Sequence, residues 1–390
     1  MFVSLFENKN YAVMVMRGFL SVLLGALPLL VVAGDPFDVS RADADGPHVF
    51  YRGPNVVVKS VQRRDTATVV VTDVYPDRKV ARLTCMLPDL GDQFTFPLQT
   101  QLNTAPEIYP EPERMLVISD IEGNFEAFKM LLLSAGVIND QFQWIFGNGH
   151  LVLLGDYFDR GLNVTECLWL AYKLEPEALA AGGRLHFILG NHEVLNLQGD
   201  TRYVRNKYLD NARLIGEDYT RWYAEDTELG RWLRTKNAVE RIGSQVFCHG
   251  GISPELAKTG LALTDINRIA RKYLGYEHAA INDPFAKEIF SRQTGIFWYR
   301  GAAKGLMTSE EMTDVLIFAG ARRMIVGHTL APDITAMYGG RLITIDLYHD
   351  ENLRMGFAKG LWFEKGTAYG FDSRGFKFSI FTTTYSDKQD

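Results

Sequence analysis

Five short apolar segments of this chain each end in a polar loop that contains glycine, and this repeated arrangement constrains the fold more than any other feature. The segments span 115–119, 150–154, 184–189, 245–248 and 323–326. Each has the length of a buried strand, and the first three alternate with helical patterns. This alternation predicts parallel strands in an α/β fold, whose ligands bind beyond the carboxyl ends of the strands.

Each loop places a residue that can bind a metal ion directly after its strand. The loops read Ser-Asp-Ile-Glu-Gly-Asn (119–124), Gly-Asp-Tyr-Phe-Asp-Arg-Gly (155–161), Gly-Asn-His-Glu (190–193), His-Gly-Gly (249–251) and Gly-His-Thr (327–329). The candidate ligands, which we expect at one edge of the sheet, are Asp120, Asp156, Asn191, His249 and His328. A lone aspartate would more often cap a helix and a lone histidine would more often be a core residue, but five in order indicate a site. Carboxylate, amide and imidazole ligands together suit Mn²⁺, Fe or Zn²⁺ better than Ca²⁺.

The five loops, in this order, resemble the motifs of the calcineurin-like metallophosphoesterase superfamily, and within it the phosphoprotein phosphatase type. The motifs of that superfamily are Asp-x-His-Gly, Gly-Asp-x-x-Asp-Arg-Gly, Gly-Asn-His-Glu, His-Gly-Gly and Gly-His. Segment 248–256 is close to the phosphoprotein phosphatase version, and Ile-Phe-Trp-Tyr-Arg-Gly at 296–301 is similar to a segment of the bacterial, Shewanella-like branch. The resemblance covers residues 115–347 and implies an α/β sandwich of two mixed β-sheets flanked by helices.

The resemblance also implies a centre of two divalent metal ions. Asp120 would bind the first ion and Asp156 would bridge both. Asn191, His249 and His328 would bind the second. We expect Mn²⁺, with Fe, Zn²⁺ or Mg²⁺ as alternatives. Two such ions lower the pKa of a water between them and stabilise the oxygens of an in-line displacement.

Four further residues receive catalytic roles from the resemblance. His192 would be the general acid, held by Asp159, and an imidazole beside a carboxylate can stay protonated near neutral pH. Arg160 and Arg300 would hold phosphoryl oxygens, which the planar guanidinium can bind through two hydrogen bonds. The alternatives are that Asp159 only pairs with Arg160, and that Arg300 is a packing or cation–π residue.

Glu122 departs from the superfamily, whose members carry histidine at this position. A carboxylate here would give the first ion an all-oxygen shell, which favours Mn²⁺ or Mg²⁺ over Zn²⁺. The alternative is a structural role at the N-terminus of the following helix, where glutamate is also favourable. The roles of two other residues near these loops stay open. Glu193 either orients a ligand or is an exposed acid at a helix start, and Tyr203 either lines the pocket mouth or packs between helices.

The leading functional hypothesis is a metal-dependent phosphomonoesterase acting on phosphoprotein, including phosphotyrosine, or on small phosphate esters. A dinucleoside polyphosphate or other phosphoanhydride hydrolase would share every motif. A degenerate homologue that binds phosphate without turnover is the non-enzymatic alternative. The 41 Lys and Arg against 47 Asp and Glu, with a net charge of −6 and no long block of one sign, predict no nucleic-acid partner.

The N-terminal third is organised differently. Residues 1–33 have the pattern of a secretory signal peptide, with an uncleaved membrane anchor as the alternative. The protein is therefore predicted to be exported, to the periplasm or outside the cell, and to contact a membrane only if this leader is retained. Residues 48–104 predict a small β subdomain added at the N-terminus, and 114–385 predict the catalytic domain. The three cysteines, an odd number, are interpreted as free core residues.

Overall fold

The computed structural model describes residues 14–18, 41–65 and 67–382. The predicted leader lies outside the described residues except for 14–18, so that it stays a prediction. None of the helices in the described ranges has the length and apolar character needed to cross a membrane. The three cysteines are all buried and free, which confirms their interpretation as core residues.

The described residues form strands and helices in the following order. The strands are β1 (Met14–Gly18), β2 (Asp45–Arg52), β3 (Asn55–Arg64), β4 (Ala67–Tyr75), β5 (Arg82–Leu87), β6 (Asp92–Pro97), β7 (Ile108–Tyr109), β8 (Arg114–Ile118), β9 (His150–Leu153), β10 (Arg184–Phe187), β11 (Val239–Ile242), β12 (Gln245–Cys248), β13 (Arg323–Val326), β14 (Thr335–Met337), β15 (Leu342–Thr344), β16 (Lys359–Glu364), β17 (Thr367–Asp372), β18 (Lys377–Phe378) and β19 (Phe381–Thr382). The helices are α1 (Phe125–Ser134), α2 (Val164–Ala180), α3 (Asn191–Leu197), α4 (Asn206–Ile215), α5 (Glu228–Leu233), α6 (Pro254–Lys258), α7 (Leu263–Tyr273), α8 (Pro284–Ile289), α9 (Ser309–Ala319) and α10 (His349–Arg354).

The first of two compact units combines Met1–Thr100 with Val204–Glu228. Its sheet has the strand order β1-β4-β3-β2, and β5 and β6 form a separate hairpin. Burial alternates along β5, with Leu83, Cys85 and Leu87 inside, as expected of a strand with one apolar face. The predicted β addition is thus present. It shares its unit with α4, which comes from a segment that the sequence analysis assigned to the catalytic region.

The second unit, Gln101–Tyr203 with Leu229–Asp390, contains two mixed sheets. One has the order β10-β9-β8-β16-β17-β18 and the other the order β19-β14-β15-β13-β12-β11-β7. One buried cluster joins residues of both sheets, including Val117 and Val152 from the first and Phe247, Ile325 and Ile343 from the second. The sheets therefore face each other across this core, with helices around them, which confirms the predicted sandwich.

The parallel strands explain where the polar loops lie. β8, β9 and β10 run parallel in the first sheet, and β12, β13 and β15 include parallel neighbours in the second. The expectation of one sheet edge is corrected here, because three loops come from one sheet and two from the other. Strand order depends on long-range pairing, which the local pattern of the sequence does not encode.

Candidate metal centre and active site

The backbone of these loops is unusual at the predicted site residues. Six of them have a positive φ, in the left-handed region that residues other than glycine seldom occupy. Such strain costs about 1–3 kcal/mol per residue and is concentrated at functional sites, where the surroundings hold it in place. The six residues are Asp120, Glu122, Asp156, Asp159, Arg160 and His328.

His249 lies at the centre of the predicted second metal site. Its Nδ1 donates to the Leu154 carbonyl oxygen at 2.8 Å, which directs Nε2 toward the other ligands. Nε2 is 3.0 Å from Asp156 Oδ2 and 3.1 Å from Asn191 Oδ1. Burial lowers the pKa of His249, but the Asp156 and Asp120 carboxylates outweigh burial and raise the pKa to about 10. Metal binding at Nε2 must therefore displace a proton.

His328 completes this site from the end of β13. Its ring centroid is 5.0 Å from that of His249, and its Nε2 is 3.1 Å from the Trp298 carbonyl oxygen. Ligand atoms of Asp156, His249 and His328 all lie within 4.8 Å of one another. Burial and the charge of His249 lower the pKa of His328 to about 2, so that its imidazole is neutral, as a metal ligand must be. The structure thus brings together the predicted ligands of the second ion.

Asp120 follows β8 and is fixed by its neighbours. Its Oδ2 accepts hydrogen bonds from Ser119 Oγ at 2.5 Å and from the His328 backbone N–H at 3.2 Å. A Cβ atom at Gly327 would overlap this carboxylate, so that a larger residue would push the two loops apart. Burial raises the pKa of Asp120 to about 6, and the nearby Asp156 carboxylate acts in the same direction. The Asp120 backbone N–H also donates to the Gly155 carbonyl oxygen at 3.1 Å, so that the Asp120 loop lies against the loop that carries Asp156.

Glu122 faces the predicted first metal site. Ligand atoms of Glu122, Asp156 and His192 lie within 4.8 Å of one another. Arg160 Nη1 also donates to Glu122 Oε1 in a close ion pair. The N-cap of α1 is Asn124, so that the Glu122 carboxylate is not the group that caps this helix.

His192 is positioned as the predicted general acid. Its Nδ1 is 2.6 Å from Asp159 Oδ2, and Asn196 Nδ2 donates to the same oxygen at 3.0 Å. Its Nε2 is 3.8 Å from Asp156 Oδ2. Burial lowers the pKa of His192, but the Asp156 and Asp159 carboxylates outweigh burial and raise the pKa above its usual value. The imidazole therefore favours the protonated form that an acid needs.

The rim of the site carries two arginines and a tyrosine. The Arg160 guanidinium carbon lies 5.8 Å from the Tyr203 ring centroid, and the Arg160 side chain is 56% exposed. Arg300 Nη1 donates to the His328 carbonyl oxygen, at the loop that supplies a metal ligand. The Tyr203 ring centroid is 5.1 Å from that of His192. Both predicted phosphate-binding arginines therefore lie beside residues of the metal centre, and Tyr203 lies beside the acid.

Glu193, left open by the sequence, is fully buried beneath the loops. Its carboxylate accepts hydrogen bonds from the backbone N–H groups of Gly190 at 2.6 Å, Tyr157 at 2.7 Å and Asp156 at 2.8 Å. Burial raises the pKa of Glu193 to about 7. This side chain holds the Asp156 loop against the Asn191 loop, and it is not an exposed acid.

Asp346 is a residue of this region that the sequence analysis missed. It comes two residues after β15 and is buried, and its pKa is raised to about 9 by burial and by the Asp120 carboxylate. The sequence contained a signal for Asp346, because this residue, like Asp120, directly follows an apolar strand. It lacks the adjacent glycine that marked the other loops.

The donor set fits a pair of divalent ions. Asp156 contributes to both groups of ligand atoms, one with His249 and His328 and the other with Glu122 and His192, whereas Asp120 belongs to neither group. Several buried carboxylates at one point can be ionised together only beside cations. Together with the two facing mixed sheets, this set defines a metal-dependent hydrolase whose site lies at the strand ends.

Comparison with known proteins identifies the family. Residues 113–332, more than half of the chain, match the calcineurin-like phosphoesterase family. The chain belongs to this family, and the prediction of a metal-dependent phosphatase is confirmed.

Relatives and solved structures support the predicted branch. The chain is 26% identical over 361 residues to Shewanella-like protein phosphatase 2 of Arabidopsis thaliana, covering 79% of this chain and 85% of the relative. It is 29% identical over 229 residues to Shewanella-like protein phosphatase 1 of Plasmodium berghei, covering 56% and 62%. The solved structure of the cold-active protein-tyrosine phosphatase of a psychrophilic Shewanella species matches with a TM-score of 0.76 and 28% identity, covering 87% of this chain and 100% of that one.

Proposed function

We propose that this phosphatase hydrolyses phosphotyrosine in protein substrates, with His192 as the general acid. The observation that carries the proposal is the Tyr203 ring, which is 44% exposed and 5.1 Å from the His192 ring. A general acid must reach the leaving-group oxygen, so that the leaving group lies beside His192 and near Tyr203. A pair of aromatic rings contributes about 0.5–1.5 kcal/mol beyond area burial, which favours an aryl leaving group. The similarity to the Shewanella protein-tyrosine phosphatase supports this substrate class.

The residues of the chain have complementary roles in this reaction. When bound, two divalent ions supply an activated water and neutralise charge on the phosphoryl group. Arg160 and Arg300 hold phosphoryl oxygens and orient the phosphorus for in-line attack. Protonated His192 donates Nδ1–H to Asp159, which leaves the proton on Nε2 for transfer to the departing phenolic oxygen. The leaving group then departs as neutral tyrosine.

Mn²⁺ is the proposed native ion at the first site, where Asp120, Glu122 and Asp156 would be the ligands. Three carboxylates form a harder and more negative shell than two carboxylates and an imidazole. The position of the Glu122 carboxylate near Asp156 supports ligation. Its ion pair with Arg160 would then join the metal site to the phosphate-binding arginine.

Export is the proposed location, on the pattern of residues 1–33 alone. A cleaved leader would release the enzyme into the periplasm or the medium, and a retained leader would tether it to the membrane surface. Substrates outside the cytoplasm would follow in either case. N-terminal sequencing of the protein purified from its own cells would separate these outcomes, because cleavage after Ala33 predicts a new N-terminus at Gly34.

A panel of three substrates tests the proposed activity. Phosphate release from a phosphotyrosine peptide, from the phosphoserine peptide of the same sequence and from diadenosine tetraphosphate is measured in Mn²⁺ and after chelation. We expect the highest kcat/KM for the phosphotyrosine peptide and loss of turnover with the chelator. A preference for phosphoserine would contradict the substrate class, and a preference for the dinucleotide would favour phosphoanhydride hydrolysis.

A further inference from the structure

Asp346 lies where a sixth strand end meets the metal centre. β15 pairs with β13 in parallel register, and the Ile345 N–H donates to the Val326 carbonyl oxygen at 2.9 Å beyond the last paired strand residues. The Asp346 carbonyl oxygen accepts from the Ala331 N–H at 2.9 Å. These contacts fix the backbone of Asp346 alongside the loop that carries His328.

The Asp346 side chain is buried without a partner. The residue is 8% exposed, and within the described ranges its carboxylate makes no hydrogen bond or ion pair. The charged groups that act on it include the Asp120 and Asp156 carboxylates, the His249 imidazole and the Arg160 guanidinium. A buried carboxylate beside two others must be neutralised, either by a proton or by a cation. The surroundings of Asp346 are those of the metal centre, so the cation that fits is a metal ion.

We propose that Asp346 is a further acidic residue of the metal centre, which increases its affinity for divalent cations beyond the set of ligands that the family motifs supply. This inference rests on the metal dependence of the proposed function. When all are ionised, the carboxylates of Asp120, Glu122, Asp156 and Asp346 would carry four negative charges, because Glu122 stands where the superfamily has histidine. Two divalent ions would balance this charge.

The test is Mn²⁺ binding by the full chain and its Asp346→Asn variant, measured by calorimetry and by metal content. We expect the affinity for at least one ion to fall about 10- to 100-fold, the range for polar groups that support metal ligands. The metal-free variant should unfold at about the same temperature as the metal-free wild type, because asparagine has nearly the size of aspartate and the substitution removes no hydrogen bond or ion pair. Asp346→Glu keeps the charge and should retain more affinity than Asp346→Asn.

Asp333→Asn is the matched control, because Asp333 is another carboxylate of the segment after His328. Its side chain is 41% exposed and pairs with Lys359 at 2.7 Å, and it belongs to neither group of possible metal ligands. Mn²⁺ affinity should not change in this variant. If Asp346→Asn does not fold, Asp346→Ser replaces it as the test variant, because serine is smaller than aspartate. Its Mn²⁺ affinity should fall as expected for Asp346→Asn.

Wild-type Mn²⁺ affinity in Asp346→Asn would overturn the role of Asp346. If the metal-free variant also unfolded at a lower temperature, Asp346 would be a structural carboxylate. If the wild type bound no Mn²⁺ and turned over without it, the proposed function would fail as well. If the wild type bound Mn²⁺ and Asp346→Asn bound it equally well, only the proposed role of Asp346 would fail and the proposed function would stand.

Discussion

Asp159→Asn would change how strongly the protein holds the proton of its general acid. His192 Nδ1 is 2.6 Å from Asp159 Oδ2, and both residues are buried. A hydrogen bond to a charged group contributes about 1.5–3 kcal/mol and a neutral one about 0.5–1.5, so that the substitution removes about 1–1.5 kcal/mol. At 1.36 kcal/mol per tenfold, this corresponds to about a 5- to 12-fold loss of kcat at pH values above the pKa of His192, where the fraction of protonated acid limits the rate.

The pH profile gives the sign of this effect. Protonated His192 is the active form, and its pKa is raised above the usual value, so that activity is lost as pH rises through that pKa. The Asp159 carboxylate is one of the groups that raise it, so the basic limb of kcat should move to lower pH in Asp159→Asn. His192→Ala, which removes the acid, should cost about 10²–10⁴-fold.

The assay is kcat against pH for a phosphoserine peptide and for p-nitrophenyl phosphate, with metal content measured in each variant. The loss should be larger for the serine peptide, because an alkoxide needs the proton more than a nitrophenolate does. An unchanged basic limb with wild-type kcat would refute the assigned role of Asp159. Normal turnover by His192→Ala would refute the assignment of the acid itself.

Three further outcomes are expected. Glu122→Ala should bind one Mn²⁺ per chain in place of two, and Glu122→His should restore binding of the second ion. Two Mn²⁺ per chain in Glu122→Ala would contradict the role of Glu122 as a metal ligand. Mn²⁺ affinity should rise with pH, up to about tenfold per pH unit below the raised pKa of His249, because binding displaces a proton. Calorimetry in buffers of different ionisation enthalpy counts the protons released on binding. Binding without proton release would contradict this prediction. Tyr203→Ala should lower the preference for phosphotyrosine over phosphoserine peptides about 2- to 12-fold, whereas Tyr203→Phe should keep it; an equal preference in all three proteins would exclude stacking.

The sequence was sufficient to predict the loops because each motif is local. A buried strand followed by a glycine and a metal-binding residue fits in fewer than ten positions, as in the segment that ends at Asp120. Five such segments limit the fold to an α/β sheet with a site at the strand ends. The order of the motifs supplied the roles of His192 and Arg160, which no single loop indicates.

The residues that sequence analysis left open or missed depend on long-range contacts. Glu193 is a buried anchor because backbone N–H groups of a loop up to 37 residues away point at it. Asp346 reaches the site because β15 pairs with β13, and the sequence around it has no glycine motif. Tyr203 is one of many aromatic residues in its segment, and only the three-dimensional structure places its ring beside His192.

The electron paramagnetic resonance spectrum of the full chain loaded with Mn²⁺ tests the central claim most directly. If Asp156 bridges two ions, they lie about 3.5–4 Å apart and their spins are coupled. The account predicts two Mn²⁺ per chain, the spectrum of a coupled pair, and turnover of the phosphotyrosine peptide that appears with the second ion. One bound Mn²⁺ with the spectrum of an isolated ion, in a protein that turns over fully, would contradict it.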